Sequence, residues 1–270
     1  MTNAGAMELL DEQRILDGLP MAVRAQLRSF TLLRLVDSTN RFLLEDDSAP
    51  DSGVHVCLAE SQTAGRGRRG RSWVSPFGAN LYLSVLRGFF LPPESLQGLS
   101  LAVGVAAAQA LQSLGVEGLA LKWPNDIQLQ GRKLGGVLLE MSGASAGPWR
   151  VVAGIGINVA MPAADGAGID QAWTDLAAHN VRPDRNRLAA QLLAHVITAG
   201  ERFAQHGFEA FRLDWERLDA ARDREVAVQD GAQLRRGTAR GVDSSGALML
   251  EIDGRCERIV SGDVSLRVVG

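Results

Sequence analysis

The feature that most constrains the fold is a succession of apolar, β-favouring segments between Thr31 and Val159 with few helical patterns between them. Residues 31–36, 55–60, 81–86, 119–122, 135–141 and 150–159 each read as strands bounded by Gly, Pro, Ser and Asn clusters. A doubly wound parallel sheet needs a helical crossover between strands, yet the last two of these are separated by a short loop, residues 142–148. The pattern predicts an α+β chain built on a mixed sheet with helices on one side. Residues 99–114, rich in alanine, read as a buried helix, and Asp37-Ser38-Thr39-Asn40 supplies an N-cap at Ser38 or Thr39 for a short helix through Leu44. After Pro183, Leu192, Val196, Ala199 and Phe203 recur at helical spacing, as do Phe208, Phe211, Trp215 and Leu218.

From Glu225 onward, short alternating segments punctuated by Asp230-Gly231, Ser245-Gly246 and Asp253-Gly254 predict five strands in a small closed barrel. With 270 residues, about two domains are expected. We place a helical lead-in at 1–28, a main domain at 29–222 and a small C-terminal domain at 223–270. A helix-turn-helix with its wing needs about twice the length of the lead-in, so no DNA partner is expected. The net charge of −3, from 28 basic and 31 acidic residues, carries no nucleic-acid footprint either. The most apolar run, 99–116, is too short and too polar to span a membrane, and the acidic N-terminal stretch lacks the character of a signal peptide. A cytoplasmic protein is expected. Cys57 and Cys256 lie far apart and the four histidines are scattered, so no metal site is expected.

The chemistry concentrates in residues 61–73. Arg66, Arg68, Arg69 and Arg71 fall within six residues and alternate with Gly65, Gly67 and Gly70, and no acidic residue occurs between Glu60 and Glu94. Glycine lets the backbone approach a ligand, and guanidinium forks grip phosphate or carboxylate, so the segment reads as an anion site. The glycine spacing also satisfies the dinucleotide fingerprint. That motif must open a helix and meet an acid about twenty residues on, and neither follows here. Downstream, Lys122 ends a strand before Trp123-Pro124-Asn125-Asp126, Arg132-Lys133 leads into a glycine-started strand, and Gly154-Ile155-Gly156-Ile157-Asn158 ends on an amide. Together these outline one pocket of cations, bare backbone and amides, suited to positioning and charge stabilisation.

Asp37–Asn40, Gly65–Trp73, Lys122–Asp126 and Gly154–Asn158, in this order, resemble the motif blocks of biotin protein ligases. The resemblance runs from about residue 31 to the C-terminus and is closest to the monofunctional group without a DNA-binding winged helix. It implies a class II synthetase-like catalytic fold with an SH3-like C-terminal domain. It also implies ATP-dependent activation of biotin to biotinyl-5′-AMP, with Mg²⁺, and transfer to a lysine of biotin carboxyl carrier protein by a monomer or weak homodimer. By that resemblance, Lys122 and Arg68 act at the reacting centre. Ser38, Thr39, Asn40 and Gln62, with Arg66, Gly67, Arg68 and Lys122, hold biotin. Gly65, Arg66, Arg68, Arg69, Arg71, Trp73, Lys133 and Asn158 hold ATP or the adenylate, with Asn158 at the adenine end. Trp73 and Trp123 wall the pocket, and the arginine loop orders over the intermediate. Arg267 is a further candidate contact for carrier or ATP. A sheet edge near 154–159 is a candidate for pairing two chains. The alternatives are a lipoate–protein ligase, whose basic-glycine signature differs, and a biotin-sensing regulator.

Overall fold

The computed structural model describes residues 8–46, 53–143, 148–230, 233–260 and 264–268. In chain order, the elements begin with helices α1 (Glu12–Asp17) and α2 (Met21–Arg24), strand β1 (Leu27–Leu33), helix α3 (Thr39–Leu44), and strands β2 (Val54–Ala59) and β3 (Leu81–Phe89). Helix α4 (Leu99–Ser113) precedes β4 (Leu119–Lys122), β5 (Asp126–Leu129), β6 (Arg132–Ser142) and β7 (Trp149–Ile157). Then come α5 (Ala163–Gly166), α6 (Arg185–His206) and α7 (Glu209–Leu218). The C-terminal strands are β8 (Glu225–Asp230), β9 (Gln233–Val242), β10 (Leu248–Ile252), β11 (Arg255–Ile259) and β12 (Val264–Val268).

Seven strands form one mixed sheet in the order β1-β2-β3-β7-β6-β5-β4. β1 and β2 are parallel and every other pair is antiparallel. Along β2 and β3, Val56, Leu58, Leu83 and Val85 join the main core beneath α4 and α6, so the long helices cover one face. α4 can lie flat there because Ala102, Ala106, Ala107, Ala108 and Ala110 are buried and keep its contact surfaces thin. The alternate residues Cys57 and Leu86 pack instead with Val152 and Leu43 of α3, which places that short helix on the opposite face. The segment 154–159, considered above as a pairing edge, is interior: β7 lies between β3 and β6, so its backbone is already satisfied on both sides.

Five C-terminal strands form an antiparallel sheet in the order β11-β10-β9-β8-β12. The expected closure is absent among the described residues, where β11 and β12 are unpaired ends of the ladder. Arg255, Cys256, Glu257 and Arg258 of β11 are exposed, and a charged edge of this kind discourages further pairing. The side chain of Arg267 lies outside the described residues.

The lead-in is fastened to the main sheet by a buried ion pair. Arg185 Nη1 donates to Glu60 Oε2 at 2.8 Å and to the Asn80 carbonyl at 3.2 Å, while Arg185 Nη2 donates to the Glu8 carbonyl at 2.6 Å. Leu10 N–H donates to the other Glu60 oxygen, and Asp11 N–H donates to Asn186 Oδ1 at 2.7 Å. At the other boundary, Ala220 N–H donates to the Leu121 carbonyl at 2.8 Å beside Asp219. Burial pushes the Asp219 carboxyl up to about 6, although Ala221 N–H donates to it and Arg222 stands nearby.

Removing Arg185 strands Glu60, which is 3% exposed, as an unpaired buried charge. Arg185→Met is therefore expected to cost about 3–5 kcal/mol in urea denaturation, and a loss below about 1 kcal/mol would refute the brace. Asp219 behaves differently with pH. Its folded value of about 6 stands above the ordinary 3.8, so it favours folding at low pH and that contribution is lost as pH rises through 6. The Tm of Asp219→Asn should gain on that of the wild type between pH 4 and pH 7.5, and a difference independent of pH would contradict the assignment.

Candidate active site

Strand register lays out the floor of the site. Lys122 pairs with Asp126, Asp126 with Gly136, Gly136 with Gly156 and Gly156 with Tyr82, which forms one row across β4, β5, β6, β7 and β3. The next row on the same face is Leu138, Gly154 and Ser84, and the third is Glu140, Val152 and Leu86. Two missing side chains make room on this floor. A Cβ on Gly154 would stand 2.1 Å from Asn40 Oδ1, and one on Gly156 would stand 2.5 Å from the Trp73 ring. α3 and the Trp73 indole therefore rest directly on the β7 backbone.

The arginine segment is a small hairpin. Gly67 N–H donates to the Arg71 carbonyl at 2.7 Å and Trp73 N–H to the Gly65 carbonyl at 2.8 Å, while Arg66 bridges Ser72. Its tip places Arg69 (φ 58°) and Gly70 (φ 71°) consecutively in the left-handed region, the conformation of a type I′ turn. Below it, a cavity of about 740 Å³ opens onto the sheet, a size suited to a small organic ligand.

Of the residues singled out from the sequence, Ser38, Thr39, Asn40, Gln62, Arg66, Gly67, Arg68, Arg69, Arg71, Trp73, Lys122, Trp123 and Lys133 all line this cavity. Gly65 does not; it closes the base of the hairpin, where a Cβ would meet the Trp73 carbonyl at 2.4 Å. Asn158 is also outside the lining. It is buried behind the wall, and its Nδ2 donates to the Thr174 carbonyl at 3.0 Å. Arg69 reaches toward the C-terminal domain, with Nη2 3.5 Å from the Gln229 carbonyl.

The polar end is organised in advance. Ser38 caps α3, its side chain accepting from Arg41 N–H. Gln62 Oε1 accepts from Thr39 N–H at 3.0 Å, and Gln62 Nε2 donates to Ser75 Oγ at 3.0 Å. Ser84 Oγ donates to Asn40 Oδ1 at 2.6 Å and lies 2.7 Å from Thr39 Oγ1. Asn40 Nδ2 donates to Glu140 Oε2 at 2.9 Å, and Glu140 Oε1 pairs with Arg66 Nη1 at 3.0 Å. At the opposite end, Lys133 Nζ pairs with Asp126 at 2.7 Å and sits 5.6 Å above the Trp73 ring. Lys133 N–H donates to the Ala172 carbonyl at 3.0 Å, which draws residues 168–171 over the cavity as a further wall. Ser84, Glu140 and this segment carry no motif signal in the sequence. Their place comes from register and from a chain crossing that only the fold reveals.

Residues 32–158 match the biotin/lipoate A/B protein ligase family, and residues 223–267 match the biotin protein ligase C-terminal domain. The chain belongs to the biotin protein ligases. It is 42% identical over 239 residues to the bifunctional ligase/repressor BirA of Escherichia coli, covering 88% of this chain and 74% of that protein. It is 34% identical to the biotin–[acetyl-CoA-carboxylase] ligase of Mycobacterium tuberculosis, covering 94% of this chain and 95% of that protein. The biotin protein ligase of Aquifex aeolicus, solved in complex with biotin and ATP, superposes with a TM-score of 0.75 at 29% identity, covering 89% of this chain and 99% of that one.

Two of the three floor glycines, Gly154 and Gly136, lead to a contrast in stability. Gly154→Ala forces a methyl into the held Asn40 amide and should cost about 1–3 kcal/mol in chemical denaturation. At Gly136 a Cβ would find the flexible Lys133 Cε at 3.4 Å. Gly136→Ala should therefore stay within about 0.5 kcal/mol of wild type, and equal costs at both positions would contradict the floor geometry.

Proposed function

We infer that the protein activates biotin with ATP to biotinyl-5′-AMP and transfers the biotinyl group to a lysine of biotin carboxyl carrier protein. In the first step a biotin carboxylate oxygen attacks the α-phosphorus of ATP. A carboxylate–phosphorus bond forms, the bond to the bridging oxygen breaks, and pyrophosphate leaves. In the second step the carrier lysine amine attacks the acyl carbon, AMP departs with the bonding pair, and the amine proton passes to solvent.

The observation that carries this reading is the charge layout: a prearranged polar patch at α3 and a set of cations around Lys122 face the same cavity. Two anions must meet in the first step, and cations held in place before they arrive lower that barrier without reorganisation. In this reading Lys122 sits between carboxylate and α-phosphate. Arg66, Arg68 and Arg71 hold phosphate and close the hairpin over the adenylate, and Arg69 adds charge at its rim. Ser38, Thr39, Asn40 and Gln62 recognise the ureido ring, where hydrogen-bonding specificity is large. Trp73 and Trp123 exclude water, and Lys133 with Asp126 faces the nucleotide. Gly65 and Asn158 act from behind the wall.

Mg²⁺ enters with ATP and neutralises phosphate charge. Among the described residues no cluster of three metal-ligating side chains is present. The lining carboxylates Asp126 and Asp170 fit an ion that keeps most of its ligands from phosphate and water. Residues 29–222 form the catalytic part and 223–270 the C-terminal domain of a cytoplasmic enzyme.

Intact-mass analysis of a carrier domain incubated with the protein, biotin and Mg·ATP should give a gain of one biotin on one lysine, dependent on ATP. Lys122→Met should slow this by about 10²–10³. Arg68→Gly should release more adenylate to solution. A gain with lipoate and none with biotin would overturn the assignment of the pocket, and biotin binding without modification would point to a sensor.

A further inference from the structure

At the polar end of the cavity, α3 and the arginine hairpin are joined through one carboxylate. Glu140 stands on β6 in the third row of the floor, and its side chain is 18% exposed. A carboxylate withdrawn from water is costly unless its oxygens are satisfied. Here each oxygen has its own partner, and the partners belong to different segments. Oε2 accepts from Asn40 Nδ2 of α3, whereas Oε1 pairs with Arg66 of the hairpin.

The orientation of the Asn40 amide depends on this arrangement. Its NH₂ faces Glu140 and the Leu138 carbonyl, 3.3 Å away, and its oxygen faces Ser84 Oγ. Turned over, the amide would set an oxygen against a carboxylate and a carbonyl, an unpaired arrangement that is penalised. Arg66 is half exposed, and Glu140 is the acidic partner that draws its guanidinium down to the floor.

We propose that Glu140 is a positioning residue that couples the biotin-recognition end to the arginine hairpin: one oxygen sets the Asn40 amide and the other holds Arg66. This rests on the function inferred above. The two arms separate under substitution. In Glu140→Gln the side-chain oxygen can still accept from Asn40, but the new NH₂ cannot accept from Arg66. Glu140→Ala removes both contacts.

The test uses the full chain. In ligand-free protein, trypsin should cut within residues 65–73 about tenfold faster in both variants than in wild type. Biotin affinity, measured by calorimetry without ATP, should stay within about twofold of wild type in Glu140→Gln. It should weaken about tenfold or more in Glu140→Ala. Cleavage of Glu140→Gln at the wild-type rate, or wild-type biotin affinity in Glu140→Ala, would overturn the proposal. So would equal losses of affinity in the two variants, which is what a merely structural residue would give. Should Glu140→Ala fail to fold, Arg66→Met keeps the question open to test. Cleavage at the remaining arginines should rise in that variant as in Glu140→Gln and rise no further in the double variant, and additive acceleration would overturn the pairing. A wild-type protein that transfers no biotin to a carrier would refute the functional reading alone, because the ligand-free cleavage still judges the Glu140–Arg66 arm.

Discussion

The rest of the structure depends on the bare backbone of β7. Ile155 and Ile157 point into the core beneath the long helices, while Gly154 and Gly156 present no side chain to the opposite face. One strand thereby serves as a wall of the core and as the floor of the cavity. Because nothing projects at these two positions, Asn40 and the Trp73 indole can lie against the sheet, and the helix and hairpin that carry them both reach Glu140 of β6. Any side chain at Gly154 or Gly156 would lift one of them and break that register. The rigidity of the floor comes from its position, since β7 is bonded along its length to β3 and β6.

Charge is arranged on this floor in matched pairs. Glu140 answers Arg66 and Asp126 answers Lys133, each at about hydrogen-bonding distance. The acids lie on adjacent strands and the cations reach over them, so each cation has a defined resting place before any ligand anion arrives. An arginine held by a partner gives up less rotamer entropy on binding phosphate than one moving freely in solvent. For the function proposed above the cost is competition, because a ligand anion bound at either cation would share or displace the internal carboxylate. That balance is affordable where the ligand brings more charge than the residue it competes with, as a polyphosphate does.

Much of the site was legible in the sequence, and the reasons differ from residue to residue. The arginine–glycine run announced itself because unneutralised charge and conformational freedom coincide there, and Ser38 was readable as a cap from the residues that follow it. The two long C-terminal helices of the catalytic part followed from apolar spacing. β5 was missed because four residues after a proline turn are too few to show alternation. Ser84 was missed because a hydroxyl within an apolar strand gives no sign of what lies opposite, and Glu140 because its partners are 74 and 100 residues away. Strand order is a long-range property for the same reason. Nothing local to 154–159 distinguishes an interior strand from an edge, and nothing local to 225–268 says whether its ladder closes. Asn158 is a motif residue whose side chain lies behind the cavity wall, with Nδ2 donating to a backbone carbonyl and Oδ1 buried without a partner, an arrangement the motif alone does not reveal.

The C-terminal domain is tied to the site from two directions, and this bears on how the cavity keeps its shape. Trp123, next to Lys122, is buried, and its Nε1 donates to the Gly246 carbonyl at 3.0 Å in a C-terminal turn. That turn sits so close to the start of α4 that a Cβ on Gly246 would meet Gly98 Cα at 2.7 Å. Arg258 reinforces the same corner through Asp243 and Ser245. On the other side, Arg69 at the hairpin tip reaches β8. The turn therefore supports the strand end that carries Lys122, while β8 stands beside the tip of the hairpin. A domain anchored at one of these contacts alone could pivot about it. Contacted at both, it braces the strand end that carries Lys122 and the hairpin tip together.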